Sequence, residues 1–208
     1  MNNKWICILI FFCASVDAQI NTFSPALIVQ HDSIQIVCLA NYPAMSNSKI
    51  IKYKVDNNSK TQTVKSAEIK MIWYFRKDDK TLEKEYLPYI SSFNTGKNRQ
   101  KQFDPLWMDV LVRGLITLYL TEEISKGSRG QRKIVTHHYY CKRENEKFAT
   151  KIAYVSDRNG FLVHRMEAGD YFSDAPDISE KIENKEDVYS AKDIIAIVEK
   201  YNAAMQSN

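Results

Sequence analysis

The sequence predicts an α+β fold: a mainly antiparallel β-sheet body followed by two or three short C-terminal helices. From residue 33 to residue 155, short runs of alternating apolar and polar residues are separated by turn-prone clusters. The connections between runs are short, and strands joined so tightly run antiparallel. After Ser156-Asp157-Arg158-Asn159-Gly160 the alternation gives way to apolar spacings of three and four.

Residues 1–18 carry Lys4, an apolar run over 5–14 and the small-residue segment Ser15-Val16-Asp17-Ala18. That layout reads as an export signal, with a mature chain expected to begin near Gln19 or Ile20. A run of about ten apolar residues is too short to span a bilayer. Cys7 and Cys13 both follow residues too bulky for lipoprotein processing. No later segment reaches about eighteen consecutive apolar residues, so no transmembrane segment is expected in the mature chain. The rest divides into a β-rich domain over 19–157 and a helical segment over 158–208 that packs on the sheet. The expected address is periplasmic or extracellular.

The first strand is expected over 33–40. Over 50–56, Ile51, Tyr53 and Val55 alternate with Lys52, Lys54 and Asp56, the period of a sheet with one wet face. Over 68–76, Ile69, Met71, Trp73 and Phe75 share one side, which predicts a core face and makes Trp73 a core residue. Lys77-Asp78-Asp79-Lys80 ends that strand, and another follows over 82–90. Residues 107–121 predict two strands with Gly114 at the bend. Residues 133–143 and 148–155 flank Glu144-Asn145-Glu146-Lys147, a hairpin connection.

A helix is expected over 161–172. Asp174 is placed to cap the next, with Pro176 in its first turn and Ile178 and Ile182 spaced by four. Ser190-Ala191-Lys192-Asp193 approximates a capping box for a last helix running to about Asn202. Ile194, Ile197, Val198 and Tyr201 form its apolar stripe, and the sheet is the partner at hand.

This C-terminal string has Tyr171-Phe172-Ser173-Asp174, Pro176, Ile178 and Lys181-Ile182, then Tyr189, Asp193-Ile194, Ile197-Val198 and Tyr201-Asn202. It resembles the end of a group of uncharacterised exported proteins of Gram-negative bacteria. Residues 49–54 and 139–146 resemble segments of the same group, and Ala175 departs from it where relatives carry cysteine. The resemblance implies export, a strand-rich middle and a helical end, and brings no assigned activity.

Composition is that of an ordinary globular chain, 44% hydrophobic and 26% charged, with material for a core. The net charge of +4 is unchanged by loss of Lys4 and Asp17 and is too small to point to nucleic acid. Only Cys38 and Cys141 lie beyond the signal. The sequence leaves two states open for them: a disulfide closing a loop of roughly a hundred residues, or two buried small apolar side chains.

Catalytic signatures are missing from the sequence. It has no Gly-x-Ser-x-Gly elbow, His-Glu-x-x-His helix or phosphate-binding glycine loop. His137 and His138 point to opposite faces of a strand and cannot share one metal, so a metal site would need His31, His164 or distant carboxylates. Asp78-Asp79 and Glu122-Glu123 read as solvated strand ends. No catalytic, cofactor-binding or metal-ligating residue is assigned, and no cofactor is expected. Two basic loops, Lys97, Arg99 and Lys101 in one and Lys126, Arg129, Arg132 and Lys133 in the other, can attract anionic headgroups or acidic polysaccharide. Read plainly, they are solvated loops. Tyr86, Tyr89 and Trp107 are equally suited to a core or to stacking on a glycan. The expected role is a non-enzymatic binding or structural component of the cell envelope, with an envelope protein or glycan as partner. The alternative is an envelope hydrolase with an unrecognised carboxylate or metal site.

Overall fold

The structure, a computed structural model, describes residues 23–78, 80–91, 101–125, 133–158, 161–166, 168–184 and 191–206. The strands are β1 (Phe23–Gln30), β2 (Gln35–Asn41), β3 (Ile50–Lys54), β4 (Gln62–Lys65), β5 (Ile69–Phe75) and β6 (Thr81–Ser91). They continue as β7 (Lys101–Val112), β8 (Ile116–Ser125), β9 (Ile134–Arg143), β10 (Ala149–Arg158) and β11 (Phe161–Met166). Two helices follow, α1 (Pro176–Glu183) and α2 (Ala191–Gln206). The α+β class holds. No helix among the described residues is long and apolar enough to cross a membrane.

All the strands join one sheet in the order β11-β10-β9-β8-β7-β6-β5-β1-β2-β3-β4. Neighbours along that order run antiparallel. One further pairing, Tyr89–Ile90 of β6 with Ala149–Thr150 of β10, is parallel and makes the sheet mixed. That direction follows from strand number. In a five-strand meander the first and last strands point the same way, so closing it into a ring requires a parallel contact. Bulges at Leu87/Tyr89, Val110/Val112 and Lys151/Ala153 bend the strands toward closure. Pro88, which has no amide to donate, sits at one of them.

The other half of the sheet curls the opposite way. After β4 a 3-10 turn, Ser66–Glu68, returns the chain as β5 beside β1. Trp107 on β7 then reaches across to the far edge of the curl. Its indole Nε1 donates to Ser66 Oγ and to the Ser48 carbonyl, both at 3.1 Å, and its backbone amide donates to the Ser46 carbonyl at 2.6 Å. Ala26, Ile28, Cys38, Ala40, Ile51, Val64, Ile69, Ile72, Tyr74, Tyr86 and Trp107 fill the inside as one core. Trp107 and Tyr86 are thus core residues, the question their sequence left open.

Inside the five-strand ring, Met108, Tyr119, Tyr140 and Ala149 form a second core. A third lies on the outer side of β8–β10, where Ile116, Leu118, Tyr139, Cys141 and Ile152 pack under Phe172, Ile178, Ile182, Ile194, Val198 and Tyr201. The helical end therefore packs on the sheet, as its apolar stripe required.

Three local expectations are corrected. Residues 161–172 are not a helix: Phe161–Met166 pair with β10 as an edge strand, and only Asp170–Phe172 make a 3-10 turn. The sheet thus runs past residue 158, because a partner strand was available to a segment with weak helix propensity. Asp174 does not cap α1; Ala175 is its N-cap, with no side-chain hydrogen bond, and Pro176 begins the first turn. Trp73 does not lie in the core. Ile72 and Tyr74 are fully buried, while Met71 and Trp73 are only partly covered and Phe75 is exposed. Alternation shows which residues share a face of β5 but not which face is covered, and both faces here are apolar. Ser190, of the expected capping box, and the expected export signal over 1–18 lie outside the described residues.

Candidate binding surface

The uncovered side of β5 belongs to a larger face. Residues directly opposite each other in antiparallel strands project to the same side. Leu27 on β1 stands opposite Val37 on β2 and Trp73 on β5. Val29 stands opposite Met71, and Pro25 opposite Leu39. Leu39 is in turn opposite Lys54 on β3, and on the next pair Lys52 faces Thr63 and Ile50 faces Lys65. The outer side of the curl is therefore apolar across β2, β1 and β5, and on β3 Lys54 and Lys52 stand between it and Ile50. Val37 is 77% exposed, Ile50 53% and Phe75 46%. Contiguous exposed apolar area on a soluble domain marks an interaction surface.

The flanks of this face carry charge of different status. On the β3–β4 side, Lys52 and Lys65 are exposed, and Lys54 lays its Nζ 5.1 Å from the Phe23 ring centroid. Lys65 has only a long, exposed contact to Glu68 at 3.9 Å. Among the described residues no carboxylate pairs with Lys52 or Lys54. On the β6 side, Glu83 and Glu85 are opposite Trp73 and Met71, and the Arg113 guanidinium bonds both. Glu85 also accepts from the buried Tyr119 hydroxyl at 2.9 Å. On the acidic flank two carboxylates share one guanidinium, and on the basic flank Lys52 and Lys54 pair with no described carboxylate.

Other polar clusters hold the molecule together. Arg143, at the end of β9, donates to Glu146, Asp174, the Tyr171 carbonyl and the Tyr201 hydroxyl. Its guanidinium carbon lies 4.4 Å from the Tyr171 ring centroid and 5.7 Å from that of Tyr201. Burial disfavours its charge, but Tyr201, Tyr171 and Glu146 outweigh burial and raise its pKa. Tyr201 donates to Asp174 at 2.6 Å and Tyr171 to Glu146 at 2.8 Å, closing a network between sheet and helices. An open groove of about 580 Å³ beside it is lined by Leu115, Arg143, Glu144, Asn145, Tyr201 and Met205. Asn202 on α2 grips the sheet itself: its Oδ1 accepts from the Ile116 amide at 2.8 Å and its Nδ2 donates to the Ile116 carbonyl at 2.9 Å. Gly114 leaves the space for that amide, since a Cβ there would overlap it.

His137 and His138 do project to opposite faces. Each meets the carboxylate on its own side, Glu122 at 3.1 Å and Glu123 at 3.0 Å. His138 is the less exposed of the two, and its Nδ1 has no hydrogen-bond partner. Burial and the nearby Lys151 charge lower its pKa against the pull of Glu123. Among the described residues no three metal-ligating side chains converge.

The Cys38–Cys141 cross-link is not formed. Both are free buried thiols, Cys38 in the core of the curl and Cys141 in the core under the helices. Burial pushes the Cys38 thiol up to about 11 and the Cys141 thiol higher. Of the basic loops, Lys97, Arg99, Lys126, Arg129 and Arg132 lie outside the described residues. Lys101 is exposed at the start of β7, its Nζ 5.4 Å from the Phe103 ring centroid, and Lys133 is exposed just before β9.

Sequence reasoning missed the open face because β1 went unread. Pro25 demotes its segment as a strand, and the β1–β5 ladder begins only at Ala26, one residue after it. A usable signal was the loss of alternation over 36–40 and 71–75, where consecutive apolar residues place apolar side chains on both faces. Comparison with family models, curated proteins and solved structures gave no match.

Proposed function

We propose that this chain is an exported, non-enzymatic binding component of the cell envelope, and that its working surface is the open outer face of β2, β1 and β5. The observation carrying the proposal is that face itself: Val37 is 77% and Phe75 46% exposed on a side that none of the described helices or strands covers. The export expected from residues 1–18 and the resemblance of the C-terminal string support the address. The engagement of Glu146 and Asp174 by Arg143, and of Glu83 and Glu85 by Arg113, favours binding over acid–base hydrolysis, because these carboxylates hold the fold together.

Site-specific photocrosslinkers at Val37 and Phe75, with Ile124 as an exposed apolar control outside the face, test this in cells. Adducts in the envelope fraction from the first two positions and not from Ile124 are expected. Recovery of uncrosslinked protein in the cytosol with Met1 intact would refute both address and role.

A further inference from the structure

The open face has the composition and shape for a particular occupant. We infer that it docks onto a bilayer surface bearing anionic headgroups, an inference that rests on this face being the working surface. Three observations select lipid. First, the face is the outside of a curl whose inside is filled by the core around Ile28, Ile72 and Trp107. It is therefore convex among the described residues, and a fluid bilayer conforms to a convex apolar surface. Second, the cations lie to one side of the apolar centre, and of them only Lys65 has a carboxylate partner, the long exposed contact to Glu68. Lys52 and Lys65 are exposed, and the half-buried Lys54 holds its ammonium over the Phe23 ring, 5.1 Å from the centroid, beside the apolar face. That layout complements headgroup phosphates around acyl chains. Third, the acids at the far edge, Glu83 and Glu85, share the single Arg113 guanidinium, so that edge keeps less negative charge than its two carboxylates carry and lies on the opposite side of the apolar centre from the lysines. Membrane affinity of useful strength takes two weak signals together, apolar insertion and basic charge, and this face supplies both.

Each lysine near an anionic surface contributes about fivefold to partitioning. Burying one exposed valine contributes about tenfold or more. The test uses the signal-free chain from Gln19 onward, sedimented with vesicles of phosphatidylcholine alone or mixed with phosphatidylglycerol. Binding is expected only with phosphatidylglycerol and is expected to weaken with salt. The signal-free chain has two tryptophans. Trp73 emission should shift blue on binding, while Trp107, already buried, should not respond. The double variant Lys52→Glu/Lys54→Glu should lose at least about 25-fold in affinity, and Val37→Asp about tenfold or more. Ile124→Asp should bind as the parent does. Near-ultraviolet circular dichroism verifies folding. Should Val37→Asp fail that check, the lysine variant decides, since both its side chains point outward.

Absence of phosphatidylglycerol-dependent binding, or binding indifferent to the lysine variant, overturns the lipid inference. If light scattering then shows self-association that Val37→Asp abolishes, the occupant is a second copy and the surface reading stands. If vesicles, self-association and photocrosslinks are all negative, both readings fall.

Discussion

Replacing Asn202 by Ala tests how the helical end is fixed to the sheet. The Asn202 amide makes two hydrogen bonds, of 2.8 and 2.9 Å, to both backbone groups of Ile116, in a site where Asn202 is 6% and Ile116 0% exposed. Truncation removes two bonds and leaves a buried N–H and a buried C=O unmatched, at about 1–3 kcal/mol each. Because the cavity can admit some water, a total of about 2–4 kcal/mol is expected, a large share of a domain's usual stability of about 5–15 kcal/mol. Gly114→Ala attacks the same contact from the other side, driving a methyl into the amide, and should cost about 1–3 kcal/mol. The two changes must couple. Once the Asn202 side chain is gone the methyl has room, so the double variant should be no less stable than Asn202→Ala alone. Urea unfolding at equilibrium, with m unchanged, gives the three values. Strict additivity, or a loss below about 0.5 kcal/mol for Asn202→Ala, would refute the argument, since neither is compatible with a buried two-bond grip.

Three further outcomes are expected. Thiol titration of the chain from Gln19 onward should find Cys38 and Cys141 unreactive when native and both reactive in denaturant without reductant, because they are buried free thiols; an intact mass short of two hydrogens that reductant restores would contradict this. Arg143→Ala should destabilise by about 1–2 kcal/mol, since it removes hydrogen bonds to half-exposed carboxylates that keep their tyrosine donors, and limited proteolysis should then cut between β11 and α2 before the sheet. For His138, burial and Lys151 hold the folded pKa below the unfolded value of 6.5 despite Glu123, with His137 adding to the depression and Tyr154 beside the ring. The unfolded chain then binds the proton first on acidification. This group's share of stability is intact above about pH 7 and falls as the pH drops through 6.5 toward the folded value. His138→Gln should flatten the urea midpoint against pH in that window, and equal slopes would count against the assignment.

How much was legible beforehand follows from which forces act locally. Period-two alternation placed Ile51 and Tyr53 on one side of β3, and the i, i+4 spacing placed Ile178 and Ile182 on the buried side of α1, because side-chain direction is set by backbone geometry alone. The stripe of Ile194, Val198 and Tyr201 required a partner, and Gly114 required a turn, for the same local reasons. Phe161–Met166 shows the limit: its helix propensity was weak, and the ladder offered by β10 decided its state.

The sequence by itself determined that this chain is strand-rich, ends in amphipathic helices, and carries apolar side chains on both faces of β5. Only the tertiary structure decided which of those faces is covered. Strand order is set by long-range pairing, and the curl that seats Trp107 against Ser66 closes over Ile72 and Tyr74 while leaving Trp73 and Phe75 outside. Burial is a property of what lies across a gap in space, and no pattern along the chain encodes it. The same reason hid the pairing of Arg113 with Glu83 and Glu85 and of Arg143 with Asp174, residues distant in sequence that meet only once the sheet has closed.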